Sequence, residues 1–319
     1  MKIPPGTESV NKCVLCIESV VVIDAGFAKH LGLIEPYQVQ CCSKCGLRWL
    51  IPRPDQKAYQ VVYSEENYFG GDKAVEDYSS LATERRPYFR ARLLEIMRCF
   101  PRQRMLSILD VGAATGEFVF EARELGHHAD GIEFSVAAAK KAKEQFNVTL
   151  FVGSLDSYQP SKPYDVIHMN HVFEHLPWPV EILAACRRML ASKGVLVLEV
   201  PLQFYNDLDR LKRILLLSKK PRFNAYSLHH TYFYTPDTLA KLLVKHNFDI
   251  ESLRTANHHR TPLTPFRFKN LFLRYFLWAA DFLHQGGNVI EVYARKRQAG
   301  TNGLILAGAS PNERPIIPG

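Results

Sequence analysis

One twelve-residue stretch limits the possible folds of this chain more than any other: Ser107-Ile108-Leu109-Asp110-Val111-Gly112-Ala113-Ala114-Thr115-Gly116-Glu117-Phe118. The apolar run at 106–111 has the length of a buried strand, and it breaks into a glycine turn followed by a helical pattern. Gly112 and Gly116 let the backbone pass close to a ligand, where a Cβ would collide. The helix that follows offers N–H groups with no partner inside the helix. Asp110 falls at the carboxyl end of the strand, the edge at which open α/β sheets bind their ligands.

The spacing is D-x-G-x-x-x-G, and taken alone it fits a plain strand-to-helix turn as well as a binding loop. A second short strand at 129–133 ends in Glu133, 23 residues after Asp110. A carboxylate so placed can accept both hydroxyls of a ribose, so the pair of segments marks a nucleoside-sized ligand site. Together they resemble motifs I and II of the class I S-adenosylmethionine (SAM)-dependent methyltransferases. The resemblance supplies the cofactor's identity. It implies that Asp110, Gly112, Ala113, Gly116, Glu133 and Phe134 line the SAM site.

The rest of the main domain follows the same resemblance. A helix at 136–146 and a strand at 149–152 lead into Gly153-Ser154-Leu155-Asp156. In the family the matching turn lies beside the adenine, which implies packing by Leu155 and a polar contact from Asp156 or the Ser154 backbone. A strand at 164–169 runs into Asn170-His171-Val172-Phe173-Glu174-His175-Leu176-Pro177, similar to the segment after the fourth strand in this superfamily. Asn170 and His171 would then line the floor near the methyl group. His175 is a candidate base, because imidazole titrates near neutrality, or else a cap of the turn. A helix at 179–190 and a buried strand at 195–200 complete a run of βαβ units, so the sheet is expected to be mostly parallel. Strands at 248–253 and 288–295, separated by an aromatic-rich helix at 266–283, form an antiparallel closing pair in the family. The expected fold class is α/β: a Rossmann-like, doubly wound, mostly parallel seven-stranded sheet with an antiparallel last strand, plus a small N-terminal zinc ribbon.

The ribbon rests on Cys13-x-x-Cys16 and Cys42-x-x-Cys45-Gly46, whose pairs are 25 residues apart. Each C-x-x-C turn aims two thiolates at one ion, and two such turns complete a tetrahedral zinc site with no position left for substrate. The metal is therefore expected to be structural. Cys41 is an alternative to Cys42, and His30 fits a loop histidine better than a ligand. Strands are expected at 20–23 and 37–40. A segment of this size buries little core, and a metal offsets that deficit.

The segment Tyr226-Ser227-Leu228-His229-His230-Thr231-Tyr232-Phe233 resembles the acceptor-pocket loop of small-molecule and sugar methyltransferases. The resemblance makes His230 the leading base, with Tyr226 and His229 beside it. Some zinc-ribbon sugar C-methyltransferases carry Glu-His where this chain has His229-His230. The implied mechanism is in-line methyl transfer to an acceptor deprotonated by a histidine. The implied acceptor is a small molecule, most closely a sugar or cell-surface glycan. The rival reading is an RNA methyltransferase with the ribbon as a nucleic-acid clamp.

The chain has 319 residues and divides as ribbon 1–55, connector and helical lid 56–104, methyltransferase domain 105–296 with an insertion at 202–229, and a disordered tail 297–319. The helical region 74–100 is expected to break near Pro87, and Ile51-Pro52-Arg53-Pro54 has linker character. Trp178, between two prolines, is expected to pack. The net charge of +8 permits an anionic partner such as a phosphate, nucleotide or membrane surface, but a solvated basic face is the favoured reading. The basic, leucine-rich stretch 207–222 suits either a lid or peripheral contact with a membrane. No run approaches the ~20 apolar residues of a membrane span, and no signal-peptide core follows Met1. Seven cysteines, four of them at metal spacing, fit a reducing compartment, so the expected location is the cytoplasm. Oligomeric state has no signature in the sequence.

Overall fold

A computed structural model describes residues 12–16, 21–33, 36–53, 78–101, 104–203, 230–256 and 289–298. The connector from 54 to 77, most of the insertion, the aromatic segment 266–283 and the tail from 299 lie outside the described residues, as do Tyr226 and His229.

Among the described residues, eleven strands and six α-helices follow in chain order: β1 (Val21–Ile23), α1 (Ala25–Leu31), β2 (Gln38–Cys42), β3 (Arg48–Ile51), α2 (Tyr78–Met97), β4 (Ser107–Val111), α3 (Glu117–Glu124), β5 (His128–Glu133), α4 (Val136–Phe146), β6 (Phe151–Val152), β7 (Tyr164–Asn170), α5 (Pro179–Met189), β8 (Leu190–Pro201), β9 (Tyr232–Phe233), α6 (Pro236–Lys245), β10 (Phe248–Ala256) and β11 (Val289–Lys296). A 3₁₀ turn, Phe173–His175, follows β7.

The large sheet has the order β10-β11-β8-β7-β4-β5-β6. Its pairings from β6 through β8 are parallel. β11 runs antiparallel to both of its neighbours. The central strands are apolar on both faces, as a sheet covered by helices on each side requires. Leu109, Ile167, Leu196 and Ile290 feed one core, and Ile108, Val166, Val195 and Val197 feed the other. Helix boundaries follow local chemistry: Ser135 caps α4 by accepting from the N–H of Ala138, and Thr235 with Thr238 forms a capping box before Pro236 opens α6.

Three expectations are corrected here. Helix α2 runs unbroken through Pro87. Beside the proline, Arg85 pairs with Glu117 at 2.6 Å, and Arg86 and Arg90 pair with Glu121 at 2.5 and 3.1 Å. These contacts with α3, and the burial of Tyr88, Leu93 and Ile96, outweigh the roughly 3 kcal/mol that an interior proline costs. Residues 51–53 are no loose linker: buried Arg53 donates to the carbonyl of Pro177 at 2.8 Å and to the Tyr232 hydroxyl. Trp178 is 51% exposed, so its flanking prolines do not bury it.

The small sheet joins segments far apart in the chain. Its order is β1-β2-β3-β9, all antiparallel, and β9 comes from the segment after the insertion. Trp49 and Tyr232 are register partners in this sheet, and both are fully buried. Cys13, Cys42, Leu47 and Trp49 lie in the same apolar cluster as Leu239 and Leu242 of α6. The cysteine module and the large sheet thus share a core.

Candidate active site

Strand order reverses at β4, with β5 and β6 to one side and β7 to the other. The crevice outside the carboxyl ends of such strands is where ligands bind in open α/β sheets. Gly112 and Gly116 both have φ in the left-handed region, at +74° and +82°. Their missing Cβ atoms clear protein as well as any ligand. A Cβ on Gly112 would lie 2.4 Å from Val172 Cγ2, and one on Gly116 would lie 3.0 Å from Ala142 Cβ. The glycines therefore let the loop after β7 and helix α4 close onto the turn. The N–H groups of Gly112 and Ala113 both donate to the Ile132 carbonyl, at 2.8 and 2.9 Å, which ties the turn to β5.

Glu133 is buried at the end of β5. Its two oxygens accept from the N–H of Ala114 and of Ser135, each at 2.8 Å. Backbone donors thus fix the carboxylate while leaving each oxygen a further lone pair. Burial pushes its carboxyl above the usual range, against the pull of those N–H groups. Asp110 is buried too, and its Oδ1 lies 2.7 Å from His168 Nδ1 on β7. Burial raises its carboxyl as well, and the His168 bond pulls it back. His168 stacks on Phe118 at 3.9 Å, so Asp110 also braces the turn against β7. Phe134 is half-buried beside Glu133, Leu155 is buried in the core, and Asp156 is exposed next to it. Asn170 donates to the Tyr88 hydroxyl at 3.0 Å, bringing α2 over the end of β7.

The other wall gathers around a carboxylate. Glu174, in the turn after β7, is 1% exposed, and neither of its oxygens accepts a hydrogen bond among the described residues. Three histidines face its Oε1: His171 through Nδ1 at 3.6 Å, His175 through Nε2 at 3.6 Å, and His230 through Nε2 at 3.9 Å. The rings of His175 and His230 stand edge to face with centroids 4.7 Å apart. Thr231 stitches the two loops together, its N–H donating to the Glu174 carbonyl at 2.8 Å and its hydroxyl to the His175 carbonyl at 3.0 Å. His171 has φ +52°, a backbone state uncommon outside glycine. Burial pulls the His171 imidazole down, but Glu174 and Glu199 outweigh that and push it up to about 10. The two candidate bases within the described residues, His175 and His230, are therefore brought together from positions 55 apart in the sequence.

Residues 82–253 match the family model described as a methyltransferase domain, more than half of the chain. The chain belongs to the methyltransferase domain family. It is a SAM-dependent methyltransferase with a Rossmann-like fold. Curated relatives include an uncharacterized methyltransferase of Geobacillus thermodenitrificans, 27% identical over 150 residues that span 45% of this chain and 69% of the relative. Another, from Geobacillus sp. (strain WCH70), is 27% identical over 185 residues, or 56% of this chain and 84% of its own. Among solved structures, a SAM-dependent methyltransferase from Archaeoglobus fulgidus aligns with a TM-score of 0.46 and 21% identity, covering 69% of this chain and all of the other. The plantazolicin methyltransferase BpumL in complex with SAH aligns with a TM-score of 0.47 and 17% identity, covering 77% of this chain and 92% of that one.

In this methyltransferase the four cysteines converge. The sulfurs of Cys13, Cys16, Cys42 and Cys45 all lie within 4.8 Å of one another, and Cys13 and Cys45 are 3.6 Å apart. Four sulfurs bound tetrahedrally at about 2.3 Å stand about 3.8 Å apart, so the cluster fits a zinc ion. Burial pushes the Cys42 thiol up, but the N–H groups of Cys45 and Lys44 prevail and bring it down to about 7. Burial raises Cys13 and Cys45. Cys41 stays outside the cluster, with its Sγ 3.7 Å from the carbonyl of Cys42. His30 lies in helix α1 rather than in a loop.

Behind the histidines lies a charge network that the motif reading missed. Buried Arg92 of α2 donates to Glu199 of β8 and, at 2.7 Å, to Glu291 of β11. Tyr88 donates to Glu199 at 2.6 Å, and His171 Nε2 lies 3.4 Å from the same carboxylate. A signal was available: Glu199 and Glu291 are single carboxylates flanked by apolar residues in their strands, and a buried acid there needs a cation. Glu174 was visible only as part of a motif, without a role.

Proposed function

We propose that this methyltransferase acts on a small-molecule acceptor, a sugar or cell-surface glycan hydroxyl or an adjacent carbon, and that His230, with His175 beside it, takes the acceptor's proton. The observation that carries this reading is the meeting of His171, His175 and His230 at one buried carboxylate, on the loop that also packs against Gly112. SAM, when bound, supplies a sulfonium methyl that is already a strong electrophile, so the protein's work is to orient the acceptor and accept one proton. Glu133, at the end of β5, is suited to the ribose, and Leu155 and Asp156 to the adenine end. Tyr226 and His229 stand four residues and one residue before His230 in sequence and are assigned to the acceptor side.

The cysteine cluster is assigned a structural zinc ion, since four thiolates fill a tetrahedral shell. The ribbon's partner strand is β9, next to His230, which supports a role in holding the acceptor loop. An RNA acceptor is the second reading, favoured by the net charge of +8. Against it, the sequence carries no Asn/Asp-Pro-Pro-aromatic motif of base amino methylation. The basic stretch 207–222 lies outside the described residues, and membrane contact there is a proposal from its composition alone. No helix among the described residues is long and apolar enough to cross a membrane.

The test is methyl transfer from labelled SAM to separate pools of nucleotide sugars, glycan or glycolipid extract, and total RNA. Label in a sugar or glycan pool that His230→Ala and His175→Ala abolish, with SAM binding retained, supports the reading. Label in RNA overturns it, and so does full activity in both variants.

A further inference from the structure

The turn after β7 and the segment before β9 together have the makings of a metal centre. Glu174, His175 and His230 each offer one ligand atom, and these atoms all lie within 4.8 Å of one another. Two imidazoles and one carboxylate suit zinc, cobalt, nickel or ferrous ions, and three protein ligands leave coordination positions open. The second observation is the state of Glu174. It is 1% exposed, and both oxygens lie buried with no hydrogen bond among the described residues. A carboxylate out of water without hydrogen bonds is costly unless charge is brought to it. His171 brings part of that charge, but from 3.6 Å, beyond hydrogen-bond range, and it is shared with Glu199.

We infer that Glu174 with Nε2 of His175 and Nε2 of His230 binds a divalent transition-metal ion, a second site distinct from the cysteine cluster. Those nitrogens stand 3.6 and 3.9 Å from Glu174 Oε1. Ligands about 2.1 Å from a common ion stand about 3.0–3.4 Å apart, so closure needs shifts of about half an ångström, within reach of side-chain adjustment. The backbone is already set for this, because Thr231 fixes the loop of His230 to that of Glu174 and His175 by two hydrogen bonds. The ion and the acceptor's proton compete for the same imidazole lone pairs. The histidine base described above belongs to the ion-free cluster. In the loaded cluster an acceptor hydroxyl that reached the ion would be acidified by its charge and lose its proton to water.

The experiment counts ions and reads no methyl transfer, so its failure leaves the methyltransferase reading standing. The full chain, without an affinity tag, is stripped of metal under reducing conditions and titrated with Co²⁺. The expected result is two ions per chain. One gives the intense sulfur-to-cobalt band of a thiolate site, and the other gives only weak ligand-field bands. Glu174→Gln and His230→Ala should each lower the count to one and leave the thiolate band unchanged. That unchanged band, with an unaltered far-ultraviolet circular dichroism spectrum, shows that the variant is folded. A measurement on the unmodified chain stands beside these: with zinc filling the cysteines, spin-echo modulation of one added equivalent of Co²⁺ should show imidazole nitrogen. Saturation at one ion, a second ion that survives in both variants, or a second cobalt without nitrogen modulation would each overturn the proposal.

Discussion

Replacing Gly112 with alanine tests how the crevice is put together. The residue has φ +74°, and an added Cβ would lie 2.4 Å from Val172 Cγ2, with Cγ1 at 3.3 Å and Cβ at 3.4 Å. The left-handed backbone costs alanine about 1–2 kcal/mol. Forcing a β-branched neighbour aside adds about 1–3 kcal/mol, typical of overpacking. A loss of about 2–5 kcal/mol is therefore expected in urea unfolding. Val172 is only half-buried, so Val172→Ala alone should cost about 1 kcal/mol, below the range for fully buried truncations. In the double variant the overpacking disappears, and the cycle should show about 1–3 kcal/mol of favourable coupling. SAM affinity by calorimetry should follow the same pattern, because the displaced loop carries Asn170, His171 and Glu174. Additivity within about 0.5 kcal/mol would refute the reasoning. Gly112 would then be needed for the ligand or the φ angle alone, and the contact with Val172 would be incidental.

Three further outcomes follow. Removing the metal assigned to the cysteine cluster should abolish methyl transfer, because β3 holds β9 and Leu50 donates to the Thr231 carbonyl at 2.9 Å beside His230; hydrogen exchange of Thr231 and Tyr232 should rise on metal removal, and unchanged exchange would sink the coupling. Arg92→Met leaves Glu199 and Glu291 buried without that guanidinium and should cost about 3–5 kcal/mol in chemical denaturation, whereas a loss below about 1 kcal/mol would show the network to be dispensable. His127 is 7% exposed, and burial lowers its imidazole below the usual 6.5. It is held neutral in the fold, so its contribution is intact above about pH 6.5 and is lost as pH falls through the lowered value. The unfolding midpoint of wild type should therefore drop on acidification through this window more than that of His127→Gln, and parallel curves would refute the assignment.

How legible the site was depended on what each residue answers to. Elements governed by local chemistry stood out in the sequence. The helix Val136–Phe146 lies where its apolar spacing and its Ser135 cap put it, and the apolar runs before Asp110 and Glu133 became adjacent parallel strands. Pro87 misled because a local rule says that proline ends a helix, while the ion pairs that hold α2 on α3 are tertiary and 31 to 35 residues away in sequence. Arg53 misled for the same reason: a Pro-flanked arginine looks like linker until Tyr232, 179 residues on, is placed beside it. The meeting of the two cysteine pairs in one cluster was legible because both halves carry their own two-residue spacing. The pairing of β3 with β9 was not, since a two-residue strand has too little pattern to announce itself.

The histidines show the difference most sharply. His175 and His230 could each be singled out by residue type and by the segments around them, yet neither segment says that the two rings touch, and neither points to Glu174 as their common neighbour. A glutamate within a 3₁₀ turn is ordinarily solvated, and nothing local marks this one as buried. It is buried because Val172 fills the gap over Gly112, drawing the turn down onto the sheet, while Thr231 closes the other side with two hydrogen bonds. One absent Cβ at Gly112 and one threonine at 231 thus decide whether Glu174 faces water or three imidazoles. Any acceptor chemistry this enzyme performs at that wall depends on those contacts as much as on the histidines themselves. Thr231→Val, which keeps the N–H but removes the hydroxyl, should therefore impair methyl transfer while leaving SAM affinity intact, and equal activity would show that the backbone bond alone suffices to hold the wall.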